Sequence, residues 1–160
     1  SFFQSGPEAA GLLVQEVRDG CGYALTSAPA FLDAYGGVGL FSAALGRPDA
    51  VLVESSPSAC ADARHNLPRA QIEEVPFERW EPRHIDLAVV DPARAGLGVG
   101  AAQVLAATNA VRIVLVSCDP VAMARDTALL AGHGYQHRRS VVLDLFPHTP
   151  HVEVVTVLDR

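Results

Sequence analysis

Cys118 closes an apolar run, Ile113 to Val116, and is followed by Asp119-Pro120 and a stretch with the pattern of a helix. A thiol at the carboxyl end of a strand and the start of a helix lies in the partial positive charge of unpaired backbone N–H groups. That field lowers a thiol pKa and increases the thiolate fraction available for attack. Position alone supports a nucleophile and a small buried hydrophobe, the ordinary fate of a free cysteine, equally well. Three further strand ends carry reactive residue types: Asp33 ahead of Gly36-Gly37-Val38-Gly39, Glu54, and Asp91-Pro92-Ala93-Arg94.

Strands and helices alternate along the whole chain. The patterning predicts helices over Pro7 to Val17, Leu40 to Leu45, Pro57 to Asn66, Gln103 to Ala107 and Pro120 to Ala131. It predicts strands over Phe31 to Tyr35, Val51 to Glu54, Gln71 to Val75, Ile85 to Val90 and Val111 to Val116, and a last pair, Val141 to Leu145 and Val152 to Leu158, joined by FPHTPH. Such alternation implies an α/β fold with a largely parallel sheet and helices on both faces. Ligands in these sheets bind at the carboxyl ends of the strands, where the reactive residues stand.

The glycine loop narrows the ligand. A dinucleotide-binding GxGxxG beginning at Gly37 would need a third glycine where Ser42 stands. A carboxylate at Asp33 repels a pyrophosphate and suits a ligand with a cationic amino acid portion. Glu54 follows the loop at about the spacing of a ribose-binding carboxylate. Together these residues favour S-adenosylmethionine over a nicotinamide cofactor, and a tight strand-to-helix turn with no ligand is the plain alternative.

Composition bounds the rest. The 160 residues are 49% apolar and 19% charged, enough for one folded domain with its own core. Three cysteines without CxxC spacing argue against a disulfide framework or zinc knuckle and for a reducing, cytoplasmic setting. No apolar stretch approaches the roughly 18 residues of a membrane span. A net charge of −6 is a poor match to a phosphate backbone, so a nucleic acid partner would be gripped mostly by other parts of a larger molecule.

SFFQ at 1–4, LDAYGGVGLF at 32–41, VESS at 53–56, DPARAGL at 91–97, SCDPVAMARD at 117–126 and DLFPHTPHVEVV at 144–155 occur in this order. Together they resemble the ordered motifs of the RNA uracil-5-methyltransferases, which form 5-methyluridine in tRNA and rRNA. The resemblance implies a class I S-adenosylmethionine-dependent methyltransferase, Rossmann-like, with a mostly parallel seven-stranded sheet. It also implies that residues 1–160 are a single catalytic domain, a C-terminal fragment of a longer protein whose other domains hold the RNA, with no membrane partner.

By the same resemblance Gln4, Asp33, Tyr35, Gly37, Gly39, Glu54 and Asp91 surround S-adenosylmethionine, with Glu54 on the ribose hydroxyls. Cys118 matches the nucleophile and Glu153 the general base, whose pKa burial would raise. Carbon 5 of uracil is too weak a nucleophile to take a methyl group unaided, hence the thiolate that adds to carbon 6. Arg94, Arg125 and His148 are candidate substrate contacts, the arginines alternatively pairing with neighbouring carboxylates. The chain differs from the family pattern at Gly6, Leu40 and Ala93, and the segment VPFERWEP offers no clear adenine contact. His148 and His151 lack the further partners a zinc site requires, so no metal is expected. Cys21 and Cys60 are read as structural, and Trp80, among charges, as a residue at the surface edge. An inactive cofactor-binding module and a nicotinamide-dependent oxidoreductase are the alternatives, the latter disfavoured by Ser42 and Asp33.

Overall fold

The computed structural model describes residues 7–145 and 152–160. Helices α1 (Pro7–Cys21) and α2 (Ala24–Ser27) lead into β1 (Phe31–Ala34), α3 (Leu40–Ala44), β2 (Val51–Glu54), α4 (Pro57–Asn66) and β3 (Gln71–Glu74). A 3₁₀ turn (Phe77–Arg79) precedes β4 (Leu87–Val90), α5 (Gly98–Ala107), β5 (Arg112–Ser117), α6 (Pro120–Gly132), β6 (Gln136–Leu143) and β7 (Glu153–Asp159). The seven strands form one sheet in the order β3-β2-β1-β4-β5-β7-β6, parallel except for β7, which runs antiparallel to both β5 and β6.

Strand alternation sorts the side chains into two layers. Phe31, Leu87, Val89, Val114, Val116 and Val155 point to the face covered by α1 and α3, against Leu13, Val17, Phe41 and Leu45. Leu32, Ala34, Ala88, Val90, Ile113 and Leu115 point to the face covered by α5, α6 and the 3₁₀ turn. Both layers are apolar, so β4 and β5 read as unbroken hydrophobic runs, as strands buried on two sides must.

Helix starts follow from local chemistry. Ser56 accepts from the Ala59 N–H at 3.5 Å and Pro57 opens α4. Asp119 accepts from the Val121 and Ala122 N–H groups at 2.8 and 2.9 Å and Pro120 opens α6. Both are side-chain caps followed by a proline whose missing N–H costs nothing there.

Several boundaries depart from the sequence pattern. α1 continues past Val17 to Cys21, because Val17, Gly20 and Cys21 pack onto the sheet, where Gly20 meets Val114 and Val157. α5 begins five residues earlier than the apolar run suggests; Gly98 and Gly100 hide its first turn from propensity. β6 begins at Gln136, not Val141, since its first half is polar and exposed at the sheet edge. The short helix α2 and the 3₁₀ turn carry no periodicity long enough to read. Trp80 is buried at 5% exposure, a correction: its ring stacks on Phe77 with centroids 5.8 Å apart, and the Arg83 guanidinium lies 5.6 Å over it. The surrounding charges belong to the outer side of that turn. Among the described residues no helix is long and apolar enough to cross a membrane.

Candidate active site

The register of β5 and β7 brings Cys118 and Glu153 together. The antiparallel ladder pairs Val116 with Val155 and Ser117 with Val154, so its next step sets Cys118 opposite Glu153. Glu153 is also paired with Leu143 across β7 and β6 and is buried at 4% exposure. Cys118 lies just beyond the end of β5, half-buried.

Alternation places the other acids on the same side. Asp33 follows Phe31, and Asp91 follows Val89, by two residues, so both point to the α1 face, as Cys118 does after Val116. Carboxyl ends of β1, β4 and β5 lie side by side, giving one cluster of Asp33, Asp91, Cys118 and Glu153. Its electrostatics reflect that crowding. Burial, with Glu153 and Asp33 adding repulsion, pushes Asp91 up to about 7. Burial pushes Asp33 up to about 7 despite its hydrogen bonds from Ser42, and burial raises Glu153.

The thiol behaves differently from the helix-start expectation. Burial raises the Cys118 pKa, Glu153 and Asp91 raise it further, and its own backbone and Arg94 only partly oppose them. Burial first, and then Glu153, outweigh any field of the helix start, where Asp119 already accepts from the Val121 and Ala122 N–H groups.

Asp33 is fully buried and turned toward α3. Its Oδ2 accepts from the Ser42 N–H at 3.0 Å and hydroxyl at 2.5 Å, while Oδ1 has no hydrogen-bond partner among the described residues. Ser42 therefore anchors the acid beneath the glycine loop, which explains a serine where a dinucleotide site would have glycine. The glycines divide by role. Gly39 (φ +88°) is needed for packing, since a Cβ would run into Leu67, whereas Gly37 (φ +54°) faces open space. Glu54 stands beside that opening: Oε2 accepts from the Gly37 N–H at 3.1 Å and Oε1 from Ser55 and Ser56 N–H groups at 2.7 Å each. Tyr35, at the loop's entry, has the left-handed φ of +60° and sends its hydroxyl to Glu78, 3.4 Å away, its ring against Phe77.

Of the remaining candidates, Arg125 pairs with Asp126 and donates to the Ala95 carbonyl at 2.5 Å, the intramolecular alternative. Arg94 is exposed and acts electrostatically on Cys118 and Asp119. Cys21 and Cys60 are buried, the Cys60 thiol donating to the Glu54 carbonyl at 3.4 Å. Gln4 and His148 lie outside the described residues, as does the whole FPHTPH segment, residues 146–151. Among the described residues no group of three or more His, Cys, Asp or Glu is arranged to hold a metal ion. Sequence reasoning missed Asp126, a buried acid inside a helix that stands between Arg125 and Thr127 and so reads as part of a polar face.

The raised acids give a stability prediction. Asp33, Asp91 and Glu153 are raised above their ordinary values, so the unfolded chain ionises first as pH rises and binds fewer protons than the native one. Their contribution is fullest below about pH 4, is lost as pH rises through about 7, and levels off about a unit above that. The melting temperature should drop by several degrees from pH 5 to pH 8, and Asp33→Asn should flatten that drop. Scanning fluorimetry across the range checks both.

Residues 80–160 match the sequence model of the tRNA (uracil-5-)-methyltransferases. An uncharacterized RNA methyltransferase of Streptomyces coelicolor is 44% identical, over 99% of this chain and 37% of the relative. Another, from Enterococcus faecalis, is 34% identical over 100% of this chain and 37% of its own length. The chain thus spans well under half of the curated relatives it matches. Among solved structures, the Pyrococcus abyssi tRNA (uracil-54, C5)-methyltransferase in complex with S-adenosyl-L-homocysteine superposes with a TM-score of 0.85 at 35% identity, covering 99% of this chain and 40% of that one. A putative RNA methyltransferase of Pyrococcus horikoshii, at 14% identity and a TM-score of 0.73, shares the fold. The sheet order, the acids gathered at its carboxyl edge and these matches agree: the fold is that of the S-adenosylmethionine-dependent methyltransferases, and the chain belongs to the tRNA (uracil-5-)-methyltransferase family.

Proposed function

We propose that this chain is the catalytic domain of an S-adenosylmethionine-dependent methyltransferase that acts on carbon 5 of a uridine in tRNA or rRNA, within a longer protein. The observation that carries this reading is the register that sets Cys118 opposite Glu153 on the sheet face shared by Asp33 and Asp91. A crowd of carboxyls with raised pKa values is stabilised by a cation, and the methionine portion of S-adenosylmethionine carries one. Open space before Gly37 and the adjacent Glu54 suit a ribose whose hydroxyls donate to the carboxylate. The residues therefore fit the cofactor: Glu54 on the ribose, the Gly37–Gly39 loop along its backbone, Tyr35 at its rim and Asp91 toward its cationic end, with buried Asp33 adding charge from behind the loop. When bound, S-adenosylmethionine supplies an electrophilic methyl group on a sulfonium.

In the proposed reaction the Cys118 thiolate adds to carbon 6 of uracil, forming a C–S bond and moving the electron pair of the 5,6 double bond into an enolate. Carbon 5, now nucleophilic, would take the methyl group as the bond between that methyl and the sulfonium breaks, leaving a neutral thioether. Glu153 then takes the carbon 5 proton, the double bond re-forms, and the C–S bond breaks to return the thiolate. Burial raises the Glu153 pKa, which makes its carboxylate a stronger base for the carbon 5 proton. Arg94 offsets the negative charge beside Cys118. RNA, at a net charge of −6 for this chain, is gripped mostly by the rest of the protein, in the cytoplasm, where the three free cysteines stay reduced.

Calorimetric titration with S-adenosylhomocysteine, with NAD in parallel, tests the cofactor. Binding of the former alone is expected. Glu54→Ala should weaken it roughly 10- to 100-fold, the worth of hydrogen bonds to a carboxylate. Binding of NAD, or affinity indifferent to Glu54, contradicts the reading.

A further inference from the structure

Asp126 is fully buried on α6, yet its carboxylate serves a different part of the chain. Oδ2 accepts from the Leu97 N–H at 2.7 Å and Oδ1 from the Gly98 N–H at 3.3 Å, the first groups of α5. Arg125 closes the arrangement from the other side, donating Nε and Nη2 to Asp126 Oδ1 at 3.3 and 3.1 Å and Nη2 also to the Ala95 carbonyl. Gly96, at φ +75°, lies so close over this pair that a Cβ would run into Asp126 Oδ2 and come within 2.7 Å of Arg125 Nη2. Residues 95–98 are therefore seated on α6 by three backbone hydrogen bonds and one steric fit.

The two ends of this seat carry the candidate site. The seated segment continues directly from Asp91 and Arg94, and α6 begins two residues after Cys118. We propose that Asp126 is a positioning residue, holding the Asp91–Arg94 loop in fixed relation to Cys118 through its bonds to Leu97 and Gly98. It touches no reacting atom in this scheme. Its burial, its bonds from two backbone N–H groups and its pairing with Arg125 fix the seat in place. The proposal rests on the reading of Cys118 as the nucleophile, but the contact itself stands without it.

Alkylation of Cys118 by iodoacetamide, followed by peptide mass spectrometry across pH, reads the setting of the thiol without turnover. The charged groups facing it are Glu153 on β7, Asp91 and Arg94 on the seated loop, and Asp119 at the start of α6. Asp126→Asn keeps one acceptor and loses the charge, and Gly96→Ala breaks the fit from the loop side. Each is expected to change the Cys118 alkylation rate at a given pH by at least about threefold. The double variant should be no worse than the stronger single one, because both act through one contact. In the full-length protein kcat should fall about 10- to 100-fold, the scale of a small misplacement, and KM for S-adenosylmethionine should rise to a smaller extent, because the released loop also carries Asp91. Arg125→Met, at a half-exposed side chain, should shift alkylation in the same direction more weakly and keeps the test open should the other two fail to fold. Alkylation profiles unchanged in folded variants, with only the melting temperature lowered, overturn the proposal and leave Asp126 a stability residue. S-adenosylhomocysteine binding, measured on the same samples, separates this failure from failure of the cofactor reading.

Discussion

Cys118→Ala in the full-length protein is expected to abolish methylation of RNA, with a loss of at least about 10⁴-fold, the scale seen when a covalent nucleophile is removed. The size follows from what remains. Without a C–S bond at carbon 6, carbon 5 keeps its place in a conjugated ring and gains no enolate character, and orientation beside the cofactor does not supply that. Binding should survive, because the hydrogen bonds of Glu54 and the buried pair of Asp33 with Ser42 do not involve the thiol. Cys118→Ser is expected to be nearly as inactive, since a hydroxyl in this acid-crowded place ionises far less readily than a thiol. Methyl transfer from labelled S-adenosylmethionine, beside homocysteine-analogue binding on the same protein, checks both. Substantial turnover in the alanine variant would sink the mechanism.

Glu153→Gln has a different expected outcome: the enzyme stops after methylation, not before it. Gln fills the same buried place at the end of the β6–β7 pair and accepts no proton, so the carbon 5 proton stays and the C–S bond cannot break. Turnover should fall about 10²- to 10⁴-fold, the usual worth of a positioned base, while a covalent protein–RNA species accumulates. A denaturing gel showing that species in Glu153→Gln, and little in the parent, checks the role. Loss of adduct and turnover together would assign Glu153 to thiol activation instead. The substitution also removes the carboxylate that raises the Cys118 pKa, so initial addition should be no slower at neutral pH.

Much of this site was legible in the sequence because it stands at strand ends. An apolar run followed by a polar cluster marks the place where a parallel sheet exposes its edge, which found Asp33, Glu54, Asp91 and Cys118. What periodicity cannot give is register: only the pairing of Ser117 with Val154 shows that Glu153, distant in sequence, faces the thiol. Sidedness was equally hidden. Asp33 suited a cationic ligand as a charge, yet its hydrogen bonds from Ser42 turn one oxygen into the protein. The helix-start argument for the thiol counts one field and omits its burial and the carboxyls that the sheet gathers beside it. Trp80 was misplaced by its charged neighbours: the 3₁₀ turn repeats every three residues, so Phe77 and Trp80 point inward while Glu78 and Arg79 point out. β6 was shortened because an exposed edge strand buries little and so shows no alternation of apolar residues. Asp126 shows the same limit from the other side: a buried acid is readable only when the backbone it serves is known.

The claim that most needs a direct test is the covalent role of Cys118. Full-length protein incubated with S-adenosylmethionine and RNA carrying 5-fluorouridine meets a carbon 5 that has fluorine in place of the removable proton, so Glu153 has nothing to abstract. The account predicts a stable, stoichiometric adduct whose digest places the modified nucleotide on the peptide containing Cys118, and its loss in Cys118→Ala. RNA methylated without any adduct, or an adduct carried by a different residue, would contradict it.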